Sequence, residues 1–148
     1  MKTGFHSTFY AVGDPNDFRP DAWRPYFTPA SEPLWTHDTS GTIQFTDEAG
    51  IRRMIAREPG QGLAVSYDGP SAPAPERSLL FFAQGEHALG PDFLFLEDGS
   101  AVPLGSLLPW ARAWQVVEEF LTRPEARPSS VTWVDAASTT LHWPEELR

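Results

Sequence analysis

The sequence contains no cysteine. Neither a disulfide framework nor a thiolate metal site can form, which fits a reducing compartment. Lysine is nearly missing too. Lys2 is the only one, so lysine-dependent Schiff-base or phosphate chemistry is nearly excluded. No apolar run approaches the roughly 20 residues that a membrane-spanning helix needs. The start, MKTGFHSTFYAVGDP, lacks the continuous apolar segment and cleavage site of a signal peptide. The expectation is a cytoplasmic protein that does not meet the membrane.

Catalytic motifs are missing as well. No Gly-x-Ser-x-Gly elbow occurs, and Ser100 and Ser106 belong to a turn and a helix cap. The glycine patterns of phosphate and dinucleotide loops do not occur. The four histidines, His6, His37, His87 and His142, are widely separated. His142 and Glu145 have ligand-like spacing, but Pro144 breaks the helix that would put both on one face. The adjacent carboxylates Glu97-Asp98 and Glu118-Glu119 do not supply the two distinct environments that acid–base catalysis needs. They read as a solvated face or as contacts to a basic partner. No metal, cofactor or enzymatic activity is expected. A small enzyme would need His87 or His142 in a pocket with a buried carboxylate.

What is present describes one globular domain over 1–148. A chain of 148 residues can bury about two thirds of its unfolded surface. The apolar share of 41% and charged share of 21% are ordinary for such a domain. The net charge of −9 disfavours direct binding to nucleic acid, which needs a basic stripe. It serves solubility, or it steers in a basic partner. Between Gly60 and Ser100 the acids Asp68, Glu76, Glu86, Asp92, Glu97 and Asp98 face Arg77 alone, so the middle of the chain is the candidate acidic surface.

Residues 1–40 alternate aromatics (among them Phe5, Phe18, Trp23, Phe27 and Trp35) with Pro15, Pro20, Pro25, Pro29 and Pro33. Such proline spacing blocks long helices and central strands, while the aromatics argue against disorder. An extended arm lying over the core, or one reaching a partner, is expected. TIQF at 42–45 reads as a short strand. Thr46 or Asp47 then caps a helix through Arg57, with Ile51, Met54 and Ile55 on one face and Pro59-Gly60 ending it. GLAVSY at 62–67 alternates as a strand, DGPSAPAPER at 68–77 reads as a loop, and SLLFFA at 78–83 reads as a buried central strand. DFLFL at 92–96 and Ala101-Val102 form a hairpin around Asp98-Gly99.

Ser106 to Thr122 is the clearest helix, with Trp110, Ala113, Trp114, Val117, Phe120 and Leu121 facing inward. Arg112, Gln115, Glu118 and Glu119 face outward. Val131–Val134 is a further strand, and 139–143 a candidate edge strand. The fold class is α+β: an antiparallel or mixed sheet of about five strands over 41–148, packed by two main helices, with the N-terminal arm.

One stretch carries a resemblance. Gly99, Val102-Pro103-Leu104, Glu119-Phe120-Leu121, Arg127-Pro128 and Val131-x-Trp133 follow in the order of the C-terminal half of the Imm-one type immunity proteins of bacterial polymorphic toxin systems. The chain resembles that family in its last third and more loosely in its middle third. It departs at Thr122-Arg123-Pro124-Glu125-Ala126, where members carry a glycine-rich link. The resemblance implies a protein that binds a cognate toxin domain, a nucleic-acid deaminase or less often a nuclease, and occludes its active site. Asp68, Glu76, Glu86, Glu97 and Asp98 are the expected partner-facing residues, standing in for phosphates. A generic protein-interaction module is the alternative.

Overall fold

A computed structural model describes residues 4–7, 17–31, 33, 40–57, 62–71, 74–85, 92–95 and 101–136. The elements run β1 (Gly4–Ser7), α1 (Pro20–Trp23), two 3₁₀ turns (Arg24–Tyr26 and Pro29–Ser31), β2 (Ser40–Asp47), β3 (Gly50–Arg57), β4 (Leu63–Ser71) and β5 (Ala74–Ala83). There follow β6 (Phe93–Phe95), β7 (Ala101–Pro103), a 3₁₀ turn (Leu104–Ser106), β8 (Leu107–Leu108), α2 (Trp110–Thr122) and β9 (Trp133–Asp135). The class is α+β as expected. Among the described residues one antiparallel sheet of 7 strands is ordered β1-β2-β3-β4-β5-β9, with β8 paired to β4. β6 and β7 form a separate antiparallel pair, as the expected hairpin requires; the Asp98-Gly99 turn lies outside the described residues.

The sheet is larger than expected because the segment read as a helix over 47–57 is strand β3. It pairs along its whole length with β2, from Ser40 opposite Arg57 to Asp47 opposite Gly50. Asp47 does bind a nearby backbone N–H, as a cap would, but the bond closes a turn. Its Oδ1 accepts from the Ala49 N–H at 2.9 Å, and Gly50 at φ 131° turns the chain back. Asp, Asn, Ser and Thr serve turns and caps by the same local bond, so the residue type does not choose between them. The segment 68–77 is also not a loop. Apart from 72–73, which lie outside the described residues, it belongs to β4 and β5. The ladder slips at Pro70/Ser71, the irregularity that accommodates proline in a strand.

Cross-strand partners share a face, so the register sorts the side chains. Ile43, Met54, Ala56, Val65, Tyr67 and Ala83 turn toward α2 and pack with Ala113, Val116, Val117 and Phe120. This is the inward face that the 3.6-residue period of α2 gives. Ser106 does not cap α2. Its hydroxyl donates to the Pro103 carbonyl at 2.6 Å inside the preceding 3₁₀ turn, and Pro109 stands at the N-cap.

The described parts of the N-terminal segment, 4–7 and 17–31, pack on the core as expected, and they also join the sheet and the core cluster. β1 extends the sheet beside β2, with Phe5 opposite Phe45. Phe5 stacks on Phe18 at 4.9 Å, and Phe18 on Trp23 at 6.0 Å. Trp23 is 0% exposed and its Nε1 donates to the Asp17 carbonyl at 2.6 Å. Burying one such ring is worth about 4–6 kcal/mol by area. Phe27 packs on Trp114 at 5.4 Å. Among the described residues Pro20, Pro25 and Pro29 break this region into single turns, and Trp23 and Phe27 enter the core between them.

The C-terminal turn is a packing junction. Phe120, Pro124 and Pro128 are buried, and Trp133 Nε1 donates to the Pro128 carbonyl at 2.7 Å. Glu119, expected on the solvated face, reaches across instead. Its carboxylate accepts the Ser129 and Ser130 backbone N–H groups and the Ser129 hydroxyl. The expected edge strand at 139–143 lies outside the described residues.

Candidate functional site

Of the acids expected to meet a partner, Asp68 is half-buried in β4 and Glu76 lies in β5, on the same hairpin. Glu86, Glu97 and Asp98 lie outside the described residues, as do His37, His87, His142 and Glu145. His6 is exposed on β1. Among the described residues no group of His, Asp and Glu side chains gathers as a metal site, and no helix is long and apolar enough to cross a membrane.

The exposed chemistry concentrates at one end of the sheet. Both hairpins turn there, β2 into β3 and β4 into β5, so Gly50 comes against the Pro70 ring. The large apolar side chains most open to solvent stand at this end: Ile51 at 41%, Leu79 at 39% and Leu80 at 39%. SLLFFA is a strand, but only its second half is buried. Phe82 and Ala83 are inside, whereas Leu79 and Leu80 extend past the cover. An apolar run reveals a strand without revealing where its cover stops.

The two faces differ at this end. On the face away from α2 the register sets Gln44, Arg53, Asp68 and Leu80 side by side, with Ile51 opposite Thr46 in the next row. Opposite charges thus stand across β3 and β4 between two exposed apolar residues. The Arg53 Nε is buried without an acceptor.

On the other face, toward α2, a cavity of about 280 Å³ is lined by Arg52, Tyr67, Pro70, Leu79, Phe81 and Arg127, and by no residue of α2. Arg52 donates to Asp47 Oδ2 at 2.8 Å and its side chain is only 12% exposed. Burial raises the Asp47 carboxyl, but the bonds from Arg52 and the turn amides outweigh this and hold it below its usual value. Burial pushes the Tyr67 phenol up, opposed by the positive charges of Arg52 and Arg127. Arg127 sits over the Phe81 ring at 4.1 Å.

Two further grooves flank α2. One, of about 470 Å³, lies between Trp110, Gln115 and the 3₁₀ turns around Arg24 and Pro29. The other, of about 450 Å³, runs along Glu118, Thr122 and Arg123. Both hold opposite charges, Arg24 with Glu118 in one and Glu118 and Glu119 with Arg123 in the other, but neither holds one of the large exposed apolar side chains of the sheet end.

Sequence reasoning missed that Ile51, Leu79, Leu80, Arg52 and Arg127 gather at one end of the sheet, divided between its two faces. Ile51 and Arg52 were assigned to a helix, and Leu79 and Leu80 to a buried strand. The usable signal was Asp47-x-x-Gly50, which fits a hairpin as well as a helix cap and would have aligned β2 against β3. Comparison with protein-family models, with curated proteins and with solved structures finds no match to this chain.

Proposed function

We propose that this chain is an immunity-type protein that binds a toxin domain and blocks its active site, and that the exposed end of β3–β4–β5 is the surface it uses. The observation that supports this reading is Ile51 and Leu80, open to solvent on one face of a hydrogen-bonded sheet beside Asp68. Apolar anchors ringed by charge are how tight interfaces concentrate their energy. A sheet end held by two hairpins presents them with little ordering cost.

The class of partner rests on the resemblance in the last third of the chain and on charge. A net charge of −9 complements a basic domain that acts on nucleic acid, and speeds its capture. A deaminase is the first choice and a nuclease the second. The mode of action is occlusion in the cytoplasm, with no catalytic group contributed by this chain. The same surface would serve an interaction module without a toxin partner, and the toxicity of the captured protein separates the two.

The test is co-expression with the domain encoded next to this chain. Growth rescue and co-purification are expected from the wild type. The Ile51→Lys, Leu80→Lys double variant should keep its melting transition and lose both, because each lysine replaces an already exposed side chain. A toxic neighbour that is neither bound nor neutralised would sink the proposal.

A further inference from the structure

We propose that Arg52, Tyr67 and Arg127 form a binding site for a monoanionic carboxylate carried on an apolar stem. This inference does not depend on the toxin reading, since it concerns the cavity on the α2 side of the sheet end. Two guanidinium groups and a phenol line that cavity in a chain that is otherwise strongly acidic. Arginine is suited to this work because its planar fork matches a carboxylate with two N–H groups at once.

The charge count selects the ligand. Arg52 is already matched by Asp47 at 2.8 Å, whereas among the described residues no carboxylate pairs with Arg127. Arg127 is therefore the guanidinium open to a ligand, and the negative charge of Asp68, which is felt at Tyr67, opposes a phosphate dianion more strongly than a monoanion. Arg127 rests over the Phe81 ring, which leaves the N–H groups at its edge free to donate. Pro70, Leu79 and Phe81 supply an apolar wall for whatever carries the carboxylate.

Gly69 makes the seat. A Cβ there would come within 3.0 Å of the Tyr67 ring and 3.1 Å of its hydroxyl. The phenol therefore lies along β4 over a residue with no side chain, and its hydroxyl stays at the cavity. The backbone of Gly69 is ordinary, so the constraint is space and not conformation.

The carboxylate could come from an acidic side chain of a protein or from a free organic acid, and the two are separable. The full ¹⁵N-labelled chain would be titrated with phenylacetate, with the capped peptide acetyl-Leu-Asp-Leu-amide, with phenylacetamide and with inorganic phosphate. At least one carboxylate probe should shift the Gly69 and Leu79 amides saturably, and the tighter of the two names the source. Arg127→Gln should weaken that binding about ten- to hundredfold, the range for losing a charge-assisted hydrogen bond. Arg127 is exposed, so this variant should keep the wild-type melting transition. Gly69→Ala should weaken binding by displacing the phenol while leaving both arginines. Equal binding of phenylacetamide, tighter binding of phosphate, unchanged affinity in Arg127→Gln, or no saturable shift with either carboxylate would each overturn the assignment.

Discussion

Glu119 lies on the solvent side of α2 by its position in the helix period, yet it is committed to the turn that follows. Its carboxylate accepts three hydrogen bonds from Ser129 and Ser130, two of them from backbone amides. Burial alone would raise this carboxyl, but those bonds outweigh burial and hold it below its usual 4.5. The sign follows from linkage. A depressed folded value means the charged form is favoured in the folded state. The stabilisation is fully present above the unfolded value near 4.5 and is lost as pH falls through the lower folded value. Glu119→Gln should therefore cost about 1–2 kcal/mol at pH 7. The gap between variant and wild type in urea denaturation should shrink as the pH is taken well below 4.5. A gap that does not change with pH would mean the carboxylate charge does not hold the turn. The tripeptide Ser129-Ser130-Val131 could be read as the entry to a strand, but its bond to Glu119 could not. Nothing in a pattern of residues ties one helix position to a turn ten residues on.

The β2–β3 hairpin shows the same limit one level up. Three apolar residues at helical spacing pointed to a helix, but in a strand the same residues divide between faces. Met54 joins the core, while Ile51 and Ile55 turn to the other side. The deciding feature is Gly50 at φ 131°, a conformation that side chains resist. Gly50→Ala should cost about 1–3 kcal/mol. Hydrogen exchange should show the loss first in the Ile51–Arg57 amides. If those amides keep their protection and only the global stability falls, the turn is not what holds the hairpin together. Elements whose signal is internal were legible. These include α2 with its 3.6-residue period, the alternating strand 63–67 and the pairing of β6 with β7. The N-terminal turns were not, because each proline-bounded piece is too short to show a period and is ordered by contacts made outside it, such as those of Trp23 and Phe27 with the core. The candidate site was hardly legible. Asp68 was named, but the residues that give the sheet end its character depend on where α2 and its neighbours stop covering the strands.

At the scale of the whole molecule, the position of the N-terminal aromatics decides what truncation would do. If residues 1–40 lay over a finished core, removing them would leave 41–148 folded and merely less decorated. The structure gives them a different place. Trp23 and Phe27 are buried in the same cluster as Met54, Val65 and Phe120, and β1 covers the edge of β2. Deleting 1–40 would open a void the size of two aromatic rings under α2 and leave a long strand edge unpaired, a template for aggregation. We expect the truncated chain to lose cooperative thermal unfolding and to bind a dye that reports exposed apolar surface. Trp23→Ala in the full chain should cost about 3–5 kcal/mol, a graded form of the same loss. A truncated chain that melts cooperatively near the wild-type temperature would return the segment to the status of an arm. The consequence reaches function. Loss of partner binding on deletion would follow from unfolding whatever surface the partner uses, so deletion cannot locate that surface. Substitutions at Ile51 and Leu80, which sit outside the core and leave Trp23 in place, can.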